Sequence, residues 1–212
     1  MQIQFKYLLI CFIVLFSVSA NSQDIVFAVG GNYATGVFKY GENSGGIDEN
    51  YSGPGFHGGV SFEGVITGDR KEEFVFSIGL MGDYKMTKQD LTGDLQNEAN
   101  LLYVNIPAYL MYRYKLRSKD KVYGGIGLYL GVGTTGTLMG DKVQWGSEAG
   151  TDHLKRIDYG VTAKIGYRGF SGIDISASYD YGIPDVITVF PSWSLKHRAI
   201  RLSIGYALNL ND

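Results

Sequence analysis

Cysteine is almost absent from this 212-residue sequence, and its single example, Cys11, lies within an N-terminal apolar run. Downstream of that run the chain offers no thiol, which excludes disulfides, thiolate metal sites and a cysteine nucleophile. A charge excess of one sign is also lacking, because 19 basic and 21 acidic residues give a formal net charge of −2. We therefore expect no nucleic-acid partner, since such a partner requires a strongly basic surface.

Apolar runs of transmembrane-helix length are lacking as well, because Leu8–Phe16 covers only about half of the roughly 20 residues that cross a bilayer. A polar segment precedes this run, and small, polar residues follow it. This order is typical of a secretory signal peptide, with cleavage after Ala20 or Ser22. We expect residues 1–22 to be that signal peptide and residues 23–212 to form one domain; a retained N-terminal helix is the alternative.

Alternation with a period of two residues is the pattern that recurs after the N-terminus. Phe76, Ile78 and Leu80 are apolar, for example, whereas the intervening Ser77 and Gly79 are small. This period is typical of β-strands and predicts eight of them, most about 9–13 residues long, which is enough for a tilted strand to cross a membrane. The predicted strands are Ile25–Tyr33, Phe56–Ile66, Phe74–Met86, Leu102–Tyr114, Val122–Val132, Ile157–Tyr167, Ile173–Tyr181 and Ile200–Leu210.

The connections between these strands alternate strictly in length. The short ones are Thr67–Glu72, Lys115–Lys121 and Arg168–Gly172, and the long ones are Gly36–Gly53, Thr87–Leu101, Thr134–Lys155 and Ile183–Lys196. Outer-membrane barrels show the same asymmetry, with short turns in the periplasm and long loops outside. We therefore expect both ends of the domain to lie on the periplasmic side.

The two faces of the strands differ in the residues that they carry. Tyrosine concentrates near the ends of the apolar face, as in the interfacial girdles of membrane proteins, whereas the opposite face is rich in Gly and Ser, which fit a narrow lumen. The sequence therefore predicts an all-β fold, an eight-stranded antiparallel up-and-down transmembrane β-barrel. A soluble lipocalin-like binder, whose apolar face would point inward, is an alternative.

The segment YVNIPAYLMYRY (Tyr103–Tyr114) combines an Ile-Pro step with alternating apolar residues. It resembles the fourth-strand signature of the PorT-like outer-membrane β-barrel domains. Four later segments are similar to that family's later strands in the same order: VYGGIGLYLGVG (Val122–Gly133), IDYGVTAKIGY (Ile157–Tyr167), SYDYGIPDV (Ser178–Val186) and HRAIRLSIGYAL (His197–Leu208). The resemblance implies a barrel in the outer membrane of a Gram-negative bacterium and no particular activity.

Charged residues on the small-residue face are expected to point into the lumen. By the parity of the strands they are Glu63, Asp83, Lys85, Arg113, Asp158, Lys164, Asp174, Asp180 and Arg201. Five carboxylates and four cations nearly balance, which predicts a structural salt-bridge network that fills the barrel. A gated ion path or a proton relay is the alternative.

Histidine is scarce, with His57 on the polar face, His153 in the third long connection and His197 opening the last strand. None of the three has the spacing of a metal site, so we expect no metal and no cofactor. A catalytic Ser–His pair is the enzyme alternative, but Ser203 lies six residues from His197, about 20 Å along a regular strand. We therefore expect no catalytic residues.

These observations favour a non-enzymatic outer-membrane protein with a structural, secretion-system or adhesion role that it performs through its long outer loops. Its expected partners are the lipid of the outer membrane and an envelope protein. A narrow pore or small-molecule conduit is the first alternative, and a lipid-modifying membrane enzyme is the second, because the fold by itself implies no chemistry.

Overall fold

The computed structural model describes residues 23–40, 48–69, 71–90, 96–138, 140–146, 153–186 and 193–209. Its strands are β1 (Gln23–Tyr40), β2 (Asp48–Gly68), β3 (Glu72–Asp90), β4 (Gln96–Lys115), β5 (Lys121–Leu138), β6 (Asp141–Lys142), β7 (Ile157–Arg168), β8 (Ile173–Gly182) and β9 (Trp193–Asn209). The expected signal peptide, with its cleavage sites at Ala20 and Ser22, lies outside the described residues. Within these ranges no helix has the length and apolar character to span a membrane.

Eight of the nine strands pair in a closed ring. Strands β1 to β5 pair in chain order, β5 pairs with β7, and β7, β8 and β9 continue back to β1. The closing pair, β1 with β9, extends from Asp24 opposite Asn209 to Tyr40 opposite Trp193. All pairs in the ring are antiparallel, which confirms the predicted up-and-down order of eight strands. The short β6 is added to the end of β5.

The strands of the ring are tilted. We start at Gly131 on β5 and move from each residue to its partner on the next strand. This path passes through Ala28 and Asp174 and returns to β5 at Lys121, ten residues from its start. With strands about 4.8 Å apart and about 3.3 Å per residue, this displacement over eight strands corresponds to a tilt of about 40°. The backbone radius is then about 8 Å, so the interior has room for side chains and little else.

Each of the first seven predicted strands falls within an observed strand, and the last one does so as far as Asn209. Most of the observed strands are longer than predicted. Strands β1 to β5 have 18–21 residues and β9 has 17. The extra residues lie at the end of the long connections, where the backbones of neighbouring strands continue to pair beyond the apolar stretch. The predicted length of about 9–13 residues is therefore wrong for these strands, because it considered only the part that crosses a membrane.

The outward face of the ring is apolar. Side chains in the middle of the strands, such as Ile126, Leu128, Ile165 and Leu202, are each more than 60% exposed. Charged side chains of the same strands, such as Asp158, Arg168 and Arg201, are buried inside. This order is the reverse of that in a soluble lipocalin-like barrel. An apolar wall of this extent is suited to lipid and not to water.

Aromatic side chains border the apolar wall in two rows. The lower aromatic belt, near the short turns, contains Phe74, Tyr112, Tyr167 and Tyr206, and the upper aromatic belt, toward the long connections, contains Tyr33, Phe56, Tyr84, Tyr159 and Tyr181. On β3, Phe74 and Tyr84 are ten residues apart, which at a tilt of about 40° places them about 25 Å apart along the ring axis. The apolar band of outer-membrane barrels has the same height.

Carboxylates fix the short turns. Asp69 accepts hydrogen bonds from two backbone N–H groups of its own turn (2.7 and 2.9 Å), and these bonds hold the pKa of Asp69 below its usual value. Asp120 accepts hydrogen bonds from the Ser118 hydroxyl (2.6 Å) and from the Phe170 backbone N–H (2.9 Å). The hydrogen bond from Ser118 is the main cause of the lowered pKa of Asp120. Asp120 thereby joins the turn after β4 to the turn after β7.

We expect Leu128→Arg to lower the free energy of unfolding by about 2–4 kcal/mol, because the side chain lies between the aromatic belts, where a cation would face hydrocarbon. The matched change Leu116→Arg, in the exposed turn after β4, should alter this free energy by less than about 0.5 kcal/mol. Urea unfolding of the protein in lipid vesicles measures both values. Equal costs at the two positions would contradict a lipid-facing wall.

Candidate functional site

The interior of the ring holds the buried charged side chains, which form two groups. The lower cluster, near the short turns, comprises Asp24, Glu63, Glu73, Arg113, Arg168 and Asp174; the upper cluster, nearer the long connections, comprises Asp83, Lys85, Asp158, Asp180 and Arg201. Strand alternation produces both groups, because each of these residues has neighbours in sequence that belong to the outer wall.

Arg168 is the centre of the lower cluster. Its guanidinium donates hydrogen bonds to Asp24 (3.0 Å), to both carboxylate oxygens of Glu63 (3.0 and 3.1 Å) and to Asp174 (2.9 Å). Arg113 donates to Glu63 as well, and to Asp24 at 3.3 Å. Two arginines thus share the same buried carboxylates, so the loss of either arginine leaves buried negative charge without its full set of partners.

A layer of tyrosines separates the two clusters. Tyr109 and Tyr123 pack with Val75 and Met111 in this layer. The Lys164 ammonium lies 5.8 Å from the Tyr109 ring centre and 5.6 Å from the Tyr123 ring centre, which is the range of cation–π attraction. Lys164 is therefore held by the faces of two aromatic rings at the level between the clusters.

Two of the interior tyrosines lie directly against a glycine of the next strand. Tyr123 is paired with Gly166 and Tyr129 with Gly160. A Cβ atom added to Gly166 would overlap the Tyr123 ring, and one added to Gly160 would come within 2.8 Å of the Tyr129 ring. The glycines on the inner face therefore provide the space that these rings occupy.

Asp83 is the centre of the upper cluster. It accepts hydrogen bonds from Arg201 (2.6 Å), from Asn32 (2.6 Å) and from Asn105 (2.8 Å). Arg201 also donates to Asp180. Four strands, β1, β3, β4 and β9, contribute to the contacts of this one carboxylate, so Asp83 links opposite parts of the ring.

Lys85 extends the upper cluster toward the long connections. Its ammonium lies 3.9 Å from Asp83 and 3.8 Å from Asp158. Asp158 accepts a hydrogen bond from the Tyr129 hydroxyl (3.3 Å), and its other oxygen lies 3.3 Å from Nδ1 of His197. The charges at this level are therefore paired with one another and face away from the lipid.

An apolar cap packs on the ring above the upper cluster. The cap consists of residues 141–146 and 153–156, which follow β5 and fold back toward the interior. Its Val143 and Leu154 are buried against Leu101 and Tyr103, and the Trp145 ring meets the Tyr103 ring edge to face at 5.7 Å. Backbone hydrogen bonds attach the cap to the ring at Gly136 and Gly133 (3.0 and 2.7 Å).

Ser203 does form a hydrogen bond with a histidine, but the partner is His57 on β2, with Nε2 and Oγ 2.8 Å apart. The contact passes over Gly30 of β1, which is paired with both residues. Sequence reasoning considered only His197 on the same strand as Ser203 and missed this cross-strand contact. Nδ1 of His57 is buried without a hydrogen-bond partner, so the pair lacks the acidic residue that orients the ring in a catalytic triad.

The three histidines lie in separate places. His153 belongs to the cap, where its Nδ1 accepts a hydrogen bond from the Gln144 backbone N–H (3.3 Å), whereas His57 and His197 contact Ser203 and Asp158. Among the described residues, no group of three or more His, Cys, Asp or Glu side chains is arranged to hold a metal ion.

The structure distributes the nine charged residues that were expected in the lumen over three levels. Glu63, Arg113 and Asp174 lie in the lower cluster; Asp83, Lys85, Asp158, Asp180 and Arg201 lie in the upper cluster; Lys164 lies between them. Sequence reasoning missed Asp24, Glu73 and Arg168, because each lies one residue outside a predicted strand. Their parity is that of the inner face, so extending each strand by one or two residues would have found them.

The sequence profile of a family described as outer membrane protein β-barrel domain matches residues 19–188. No curated protein is significantly similar in sequence to this chain. Among solved structures, OprG from Pseudomonas aeruginosa is 12% identical, with 90% of this chain and 98% of that chain covered and a TM-score of 0.49. Ail from Yersinia pestis is 15% identical (88% and 99% covered, TM-score 0.38), and Neisserial surface protein A is 20% identical (86% and 96% covered, TM-score 0.39).

We expect Arg168→Ala to lower the free energy of unfolding by about 3–5 kcal/mol, because it leaves the carboxylates of Glu63 and Asp174 buried with fewer partners. The same change at Arg117, which is exposed in the turn after β4, should cost less than about 0.5 kcal/mol. Urea unfolding in vesicles measures both. The double variant Glu63→Gln with Arg168→Gln should lose less free energy of unfolding than Arg168→Ala alone. A larger loss would show that the arginine does not stabilise the protein through charge pairing.

Proposed function

This chain belongs to the outer membrane protein β-barrel domain family, and on that premise we propose that it is a closed, non-enzymatic barrel that anchors a binding surface in the outer membrane. The observation that carries the proposal is the filled interior. The ring is about 8 Å in radius, and four groups of side chains follow one another along its axis: the lower cluster, the tyrosine layer, the upper cluster and the cap. A barrel filled in this way acts through its outer surfaces.

The pairing of the interior charges supports a structural role over the alternative of a narrow pore, because both clusters contain cations as well as carboxylates. Arg113 and Arg168 are shared among four carboxylates in the lower cluster, and Arg201 and Lys85 among three in the upper cluster. A selective channel more often lines its path with charge of one sign. Bidentate arginine contacts also favour a fixed network over mobile charges.

The geometry of the Ser203–His57 pair supports the non-enzymatic part of the proposal. A nucleophilic serine needs a base that is itself oriented by a third group, and it needs donors that stabilise an oxyanion. His57 lacks that orienting hydrogen bond, and the hydroxyl lies at the level of the packed interior. A hydrogen bond that joins β2 to β9 across Gly30 accounts for the pair without catalysis.

The cap end of the barrel is the proposed binding surface. In outer-membrane barrels the short turns lie in the periplasm, which orients the cap and the long connections outward. We propose a role in adhesion or in an envelope secretion system for this PorT-like barrel, and such a role would use the outward end. Loops carried by a rigid scaffold are the usual place for such contacts. Export through a signal peptide formed by residues 1–22, cleaved after Ala20 or Ser22, is part of the same proposal.

The proposal predicts that the barrel does not conduct ions. Purified protein in planar lipid bilayers should show no steady conductance, because the two clusters and the cap block the axis. Trp145→Ala, which removes the largest ring of the cap, should remain closed, since both charged clusters persist below it. Reproducible single-channel steps from the unmodified protein would instead support the pore alternative.

The proposal also predicts that partners are contacted at the cap end. A photo-crosslinking amino acid placed at Lys142 or Gln144, both exposed on the cap, should give adducts with an envelope protein or a surface polymer in intact cells. The matched position Arg117, exposed in a short turn, should give none of these adducts. Adducts at Arg117 with none at the cap would place the interaction on the periplasmic face and contradict the proposal.

A further inference from the structure

A hollow of about 440 Å³ lies on the outer wall where β8, β9, β1 and β2 meet. Its lining is formed by Tyr33, Thr35, Ser52, Tyr179, Arg198, Ala199 and Ile200. Four hydroxyl groups and one guanidinium are therefore combined with apolar side chains, and the lining contains no carboxylate. This combination differs from the apolar wall below it.

Arg198 is the charged group of this hollow. Its guanidinium carbon lies 5.0 Å from the centre of the Tyr181 ring, so the ring supports the cation in a cation–π contact. The Nε atom is buried and has no hydrogen-bond acceptor. On the other side of the hollow, the hydroxyls of Tyr33 and Ser52 lie 2.9 Å apart. Arg198 is thus held in place by an aromatic ring, with no carboxylate among the residues that line the hollow.

The register places this hollow at the upper edge of the apolar band. Arg198 is paired with Tyr181 of β8 and with Thr35 of β1, so it lies at the height of the upper aromatic belt. The next outward-facing residues of β9 toward the short turns, Ile200 and Leu202, are apolar and exposed. In a membrane barrel, an aromatic belt lies at the level of the lipid headgroups.

We propose that this hollow binds the phosphate-bearing headgroup of a membrane lipid, with Arg198 as the main phosphate ligand. Guanidinium forms bidentate hydrogen bonds with phosphate oxygens, and the hydroxyls of Thr35 and Ser52 are placed to donate to the remaining ones. The acyl chain of the lipid continues along Ile200 and Tyr179, which form the apolar part of the lining. The charged part of the hollow thus faces the lipid headgroup, and its apolar part faces the acyl chain.

This site depends on the barrel being embedded in lipid, and it does not depend on a closed lumen or on a partner at the cap. Conductance by the barrel would therefore leave the lipid site unaffected. Loss of lipid binding would likewise leave the closed lumen unaffected. The two proposals can fail separately.

The test uses full-length protein in micelles of a neutral detergent, titrated with phosphatidic acid and, separately, with diacylglycerol of the same acyl chains. Bound lipid is counted by native mass spectrometry. We expect the phosphate-bearing lipid to bind more tightly than its phosphate-free counterpart. Arg198→Gln should weaken the binding of phosphatidic acid about fivefold, the contribution of one basic side chain near an anionic membrane surface, and should leave diacylglycerol unchanged.

Arg117→Gln, which removes an exposed arginine at the opposite end of the ring, is the matched control and should bind both lipids like the unmodified protein. Thr35→Val is a second, nearly isosteric change within the hollow, and it should weaken phosphatidic acid binding in the same direction while the fold is retained. Inorganic phosphate should not displace the lipid. Equal binding of the two lipids, equal affinities of the Arg198 and Arg117 variants, or displacement by inorganic phosphate alone would overturn the assignment.

Discussion

The pairing of β1 with β9 is the constraint on which the rest of this structure depends. Hydrocarbon offers no hydrogen bonds to a backbone N–H or C=O, so every strand within a membrane requires two neighbours, and the first strand must find the last. With eight strands and a displacement of ten residues, closure fixes a narrow interior. Side chains that point into this interior are removed from both lipid and water, and their charges must therefore find partners inside the ring.

The alternation of strands made the overall arrangement predictable. Ser77 and Ile78 illustrate the reason, since a period of two residues assigns each side chain to one of two faces, and the apolar face can be recognised by composition. Strand ends were less predictable. Arg168 was assigned to a turn because hydrophobic alternation stops at Tyr167, although backbone pairing continues for one more residue. An arginine that donates hydrogen bonds to three buried carboxylates was therefore missed.

Contacts that depend on the pairing register of distant strands could not be predicted from the sequence. His57 and Ser203 are 146 residues apart and meet only because β1 separates β2 from β9 by a single strand. The cap is a similar case. Its Trp145 lies in a predicted long connection, yet it packs on Tyr103 and over Gly133, where an added Cβ would overlap the indole ring. Neither contact has a local pattern, because each is produced by the closed ring as a whole.

The pairing of interior aromatic rings with glycines has a consequence for how this sequence can diverge. Tyr123 occupies the space that a side chain at Gly166 would need, so Gly166 cannot acquire a side chain while the tyrosine is present. A smaller residue at position 123 leaves a gap and removes the hydrogen bond that the tyrosine hydroxyl donates to Asp174. Positions 123 and 166 are therefore expected to change together. Homologues should carry either the tyrosine with the glycine or a different pair of similar total volume, and sequences in which only one of the two residues has changed should be rare.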